Sequence, residues 1–147
     1  MSLRNRLLHL LRRRPEPVLE LDSPGLAVVA RSFDPAEADS AALARAGDNV
    51  TQIPAVLRHH LLLPADRVEE AARILAQDGW ELRPATGTAD EPDRADDPPE
   101  LLRVHALRVQ RLTALSCAQE SSRMAGLAQR LAGDSLGWDA LAPPTPN

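Results

Sequence analysis

Lysine and tyrosine are absent from this 147-residue chain, Phe33 is its only phenylalanine, and Cys117 is its only cysteine. Each absence narrows the possibilities. With aromatics at 2%, the core has to be built from Leu, Ala and Val. One cysteine cannot form an internal disulfide, and it suits a reducing cytosol. All 17 basic residues are arginine, which together with abundant Ala and Pro reads as the codon bias of a GC-rich genome. The net charge of −4 is too small and of the wrong sign for general nucleic-acid binding. No apolar run approaches the length that crosses a bilayer. No P-loop, dinucleotide fingerprint, GxSxG, CxxC, HxH or HExxH motif is present.

At 44% hydrophobic, the chain is suited to one domain with a real core. The opening MSLRNRLLHLLRRR resembles a signal peptide only superficially, because LLHLL is short and arginines stand where small residues would precede cleavage. Leu3, Leu7, Leu10 and Leu11 recur at helical spacing among arginines. Residues 1–14 therefore read either as a basic amphipathic helix on an anionic membrane or acidic partner, or as a soluble extension. Residues 1–24 form this extension and a Pro-rich connection, 25–141 a single domain, and 142–147 a disordered tail.

Within the domain, GLAVVARSF (25–33) reads as a strand. A helix over 34–47 is expected, with Asp34 as cap, Glu37 closing a capping box, and Gly47 as stop. A second strand spans 56–63. A helix follows with Asp66 and Glu69 as its box and Gly79 as its stop. WELRP (80–84) is a short strand, and residues 85–100 a solvated loop. In that loop six acids (Asp90, Glu91, Asp93, Asp96, Asp97, Glu100) against Arg94 leave −5. LLRVHALRVQ (101–110) reads as a strand with a bulge near Ala106 and Leu107. The longest helix covers 114–132, boxed by Ser116 and Gln119, and DSLGWDALA is the last strand. From Val56 the order is β-α-β-loop-β-α-β. This predicts an α/β (α+β) ferredoxin-like antiparallel sheet with both helices on one face, plus an N-terminal strand and helix that extend or cover it.

Strand alternation sets Leu57, His59, Leu61 and Leu63 toward the helices and Arg58, His60 and Leu62 away. Leu102, Val104 and Ala106 should likewise face in, leaving Arg103 and His105 out. The first and third strands of this fold are neighbours, so Arg58, His60, Arg103 and His105 are expected to cluster on an open face. A metal site fits poorly, since adjacent histidines on a strand diverge. Catalysis by Cys117 fits worse, because a cysteine on an apolar helix face usually only packs. The remaining readings are a polar binding face, or a core His59 with satisfied nitrogens beside a merely solvated His60. Base stacking is disfavoured because the central strands carry no Phe, Tyr or Trp. Trp80 and Trp138 should plug the ends of the core, with one of them, Trp138, a candidate interface anchor.

ARAGDN, LRHHLLLPADRVEEAARILAQDGWEL and LSCAQESSRMAGLAQRLAGDSLGWDAL together resemble the regulator of ribonuclease activity B, the ribonuclease E inhibitor family. The matching features are Gly47–Asp48, the pair His59–His60, Gly79–Trp80–Glu81 and Gly137–Trp138, over roughly residues 42–141. The resemblance implies a non-enzymatic protein that binds an endoribonuclease and modulates RNA cleavage; a cytoplasmic location, with no cofactor or metal, is expected. It brings no catalytic residue. Known members are strongly acidic with an acidic C-terminal tail, whereas this chain is only −4, ends in PPTPN, and carries its acids at 90–100. The partner-binding residues expected are Arg58, His60, Arg103, His105, Asp93, Asp96, Asp97 and Trp138. The alternatives are a small-molecule sensor or enzyme using His60 and His105, and an interaction protein held on a membrane by residues 1–14.

Overall fold

The computed structural model describes residues 18–86 and 92–144. The expectations for residues 1–14, for Asp90 and Glu91, and for the end of the tail lie outside the described residues. Among the described residues, eight α-helices and strands follow in order: β1 (Ala27–Ser32), α1 (Asp39–Ala46), β2 (Pro54–Pro64), α2 (Val68–Ala76), β3 (Glu81–Pro84), β4 (Leu101–Arg111), α3 (Ala114–Arg130) and β5 (Asp134–Ala142). The sheet order is β1-β5-β2-β4-β3, and every neighbouring pair is antiparallel. Strands β5-β2-β4-β3 form the ferredoxin-like sheet, and β1 extends it beyond β5.

The alternation of β2 explains which face meets the helices. Ala55, Leu57, Leu61 and Leu63 join Val104 and Ala106 of β4, Trp138 and Ala140 of β5, and the apolar stripes of the helices in one core. Those stripes are Ala42 and Leu43 of α1, Ala71 and Leu75 of α2, and Cys117, Met124 and Leu127 of α3. Leu102 departs from the expected pattern: it lies at the strand end and is exposed.

Helix starts depart from the sequence reading at all three capping boxes. Asp34 does not cap α1. Its Oδ1 accepts the Ala36 N–H at 2.9 Å, which closes a local turn and delays the helix to Asp39. Glu37 pairs instead with Arg45. The chain enters α2 through a 3-10 turn at Ala65–Arg67, so neither Asp66 nor Glu69 caps it. At α3 the box is Thr113 with Ser116, three residues before the expected pairing. In each case side chains that favour caps also favour Asx and ST turns, and tertiary packing chooses between them.

The expected bulge near Ala106 is absent, and β2 and β4 pair without a shift from Pro54↔Arg111 to Pro64↔Leu101. The irregularities fall on β1, between Val28 and Ala30, and on β5, where Leu136 is left between the pairs His60↔Gly137 and Leu61↔Ser135. Gly137 adopts φ 126°, and a Cβ there would lie 2.3 Å from the Ser32 carbonyl oxygen. Glycine is therefore required twice, by conformation and by the approach of the chain leaving β1. Gly126, inside α3, meets nothing within 4 Å.

Two substitutions separate these cases. Gly137→Ala should cost at least about 1–3 kcal/mol in denaturant unfolding. Gly126→Ala should gain roughly 0.5–1 kcal/mol through helix propensity. Equal, small effects would contradict the close packing of β1 on β5.

Candidate functional site

The sheet's second face, opposite the helices, holds the polar cluster. Cross-strand partners in an antiparallel pair project to the same side. The pairs His60↔His105, Leu62↔Arg103 and Arg58↔Asp139 therefore gather Arg58, His60, Arg103 and His105 as expected, together with an acid that sequence reasoning missed. The signal for Asp139 was available: it is an acid between Trp138 and Ala140 in the apolar second half of its strand.

Asp139 is the centre of the cluster, with its side chain 1% exposed. Arg58 donates from Nε to Oδ1 at 2.7 Å and from Nη2 to Oδ2 at 2.5 Å. His60 Nε2 lies 2.8 Å from Oδ1. Burial alone would raise the Asp139 pKa, but the hydrogen bonds from Arg58 and His60, with their charges, outweigh it and hold the carboxyl below its ordinary value. An ionised Asp139 can only accept, so His60 donates from Nε2. The His60 ring meets His105 edge-on at 4.3 Å between centroids, and Phe33 at 4.9 Å.

This face is closed, which corrects the expectation of an open one. Arg58, His60, Arg103, His105 and Asp139 are all buried. Two flanking segments cover them. Leu21 and Leu26, from the chain before β1, lie over Val56, Arg58, His105, Leu107 and Leu141, leaving a cavity of about 210 Å³. On the other side, Arg103 donates to Asp97 from Nε at 3.1 Å and from Nη2 at 2.7 Å, and from Nη1 to the Pro92 carbonyl at 2.7 Å. Asp97 is thus an internal anchor. Asp93 caps the 3-10 turn Arg94–Asp96 by accepting the Ala95 N–H. Asp93, Asp96 and Glu100 remain exposed.

Trp138 is 1% exposed and belongs to the core, so it is no interface anchor. Its Nε1 donates to Asp39 Oδ1 at 2.9 Å, at the start of α1. Trp80 is buried as well, with Arg108 stacked over its ring at 4.2 Å.

His59 lies in the core as expected, but its nitrogens are not satisfied. Neither Nδ1 nor Nε2 has a hydrogen-bond partner among the described residues, and its ring meets Trp80 at 5.3 Å. Burial, then the charges of His60 and Arg108, push its pKa down to about 3. The Cys117 thiol is driven up to about 12 by burial and by the charges of Glu120 and Asp39, so it stays protonated at neutral pH. Among the described residues no group of three His, Cys, Asp or Glu could hold a metal ion. Nor is any described helix long and apolar enough to cross a membrane.

No protein-family model matches the chain, and a search of curated proteins returns no match.

Acid should destabilise the protein in two windows. His59 is neutral when folded, while the unfolded chain binds a proton below pH 6.5, so stability falls as pH drops from 6.5 toward about 3. Asp139 contributes in full above its unfolded value of 3.8 and loses that contribution as pH falls through its lower folded value. His59→Leu should remove a loss of up to about 1.4 kcal/mol per pH unit between pH 6 and 4. It should also stabilise the protein at pH 7 by roughly 1–3 kcal/mol, because no buried nitrogen is left unpaired. Urea unfolding at several pH values measures both, and a variant less stable than wild type at pH 7 would show that His59 has a partner.

Proposed function

We propose that this chain is a non-enzymatic regulator that binds an endoribonuclease of the ribonuclease E type and modulates its cleavage of RNA in the cytoplasm. The ordered family-like segments and the ferredoxin-like fold support this reading. The observation that carries it is the acidic segment before β4. Arg103 holds Asp97 and the Pro92 carbonyl from the buried face, while Asp93, Asp96 and Glu100 remain in solvent. A short acidic segment anchored in this way presents its charges at low entropic cost. It would dock on a basic, RNA-contacting surface of the nuclease and compete there with RNA phosphates.

The cavity of about 210 Å³ beside Arg58, Arg83 and His105 favours a second reading, a small-molecule sensor. A ligand-dependent rise in melting temperature would favour that reading.

Neutralising Asp93, Asp96 and Glu100 to Asn, Asn and Gln should slow association with the nuclease by about tenfold at low salt and flatten the salt dependence. Asp97→Asn belongs in a separate experiment, since it loosens the segment itself. Association kinetics that do not change in the triple variant would remove the acidic segment from the interface.

A further inference from the structure

The two faces of the sheet are built from different chemistry. The helix-facing side of β2 is Ala55, Leu57, Leu61 and Leu63 around the single polar His59, as a permanent core requires. The other side carries Arg58, His60, Arg103 and His105 with Arg83 of β3, against the buried acid Asp139 and, at the margins of the sheet, Glu81 and Asp134. Burying such a set for good is no more stabilising than burying apolar residues of similar volume, and often less so. A polar face under a cover is economical when the cover can leave.

The cover is held in a manner that suits departure. Each covering segment places one carboxylate on one arginine of the sheet: Asp22 on Arg83 at 2.7 Å, and Asp97 on Arg103 at 2.7 Å. The Asp22–Arg83 pair is exposed and screened, so it holds weakly. The 18–26 segment also fills its side of the face incompletely, leaving the cavity under Leu21 and Leu26. Once both carboxylates withdraw, Arg103 gives up its two bonds to Asp97 and Arg83 gives up Asp22 while keeping Glu81, and Asp139 stays committed to Arg58 and His60.

We propose that this polar sheet face is a docking surface for an extended acidic peptide of another protein, and that residues 18–26 and 92–100 occupy it in cis as an autoinhibitory cover. The covering segments stand in for the partner, since a carboxylate and a backbone carbonyl already sit on Arg103 as an acidic peptide would place them. The inference goes beyond the nuclease reading, and its test contains no nuclease.

The probe is a labelled synthetic peptide of residues 92–100, PDRADDPPE, added in trans to the full chain and followed by fluorescence anisotropy. The double variant Asp22→Asn/Asp97→Asn should bind it at least about tenfold more tightly than wild type, as loss of a charge-assisted competitor implies. That gain should vanish at high salt and with a peptide carrying Asn for Asp96 and Asp97. Equal affinity for variant and wild type, with amide exchange showing 18–26 and 92–100 released, would overturn the docking surface. Exchange of those segments as slow as that of β2 and β4 in the variant would overturn the cover. Should the variant not fold, wild type decides: raising salt from about 0.05 to 0.5 M should speed exchange in 92–100 while β2 and β4 stay protected. Exchange in 92–100 that ignores salt would contradict the proposal.

Discussion

The Asp139 carboxylate is the interaction on which the second face of this sheet depends. It is buried and ionised, and it accepts two bonds from Arg58 and one from His60. Three positions on two strands are fixed at once, because the charge cannot remain buried without its donors. His60, so oriented, sets its ring against His105 on β4 and Phe33 beyond β1. Gly137 permits this arrangement: it lets the Ser32 carbonyl approach, and the adjoining bulge keeps Asp139 in phase with Arg58. A carboxylate, a glycine and a bulge on one nine-residue strand thus organise four strands of the sheet.

The consequence is a domain whose two faces are closed by different forces. On one side, aliphatic side chains meet three amphipathic helices, and the cohesion is non-directional. On the other, short segments without a hydrophobic stripe are fastened by one ion pair each, by the bond from Arg103 to the Pro92 carbonyl, and by a few leucines. The first closure resists local opening, and the second is the natural place for it. Arg103 belongs to both descriptions. It is rooted in the sheet and grips the acidic segment, so the presentation of Asp93, Asp96 and Glu100 to a partner is coupled to the state of the buried face.

Much of the architecture was legible in the residues because period and punctuation agree. The alternation of Leu57, His59, Leu61 and Leu63, the stripe of Cys117, Met124, Leu127 and Leu131, and the stops at Gly47 and Gly79 gave elements, order and sheet faces. Cap positions were less legible, since Asp34, Asp66 and Ser116 have local alternatives whose energies differ by little. Closure of the polar face was not legible. It depends on Asp22, Leu26 and Asp97 meeting β3, β2 and β4, and nothing in a Pro- and Asp-rich stretch announces its tertiary partner. Asp139 could have been found as the acid facing Arg58, had β5 been registered against β2. His59 was placed correctly in the core, but its lack of a partner depends on side-chain packing that spacing alone does not convey.

The central claim is that Arg58 and Asp139 act as one buried unit, and a double-mutant cycle tests it directly. Arg58→Met and Asp139→Leu should each cost about 3–5 kcal/mol in equilibrium unfolding, because each strands an opposite charge. The double variant should lose far less than the sum, leaving a coupling of at least about 2 kcal/mol. Additive losses would mean that the two side chains are stabilised independently, and that the polar face is not organised around this carboxylate.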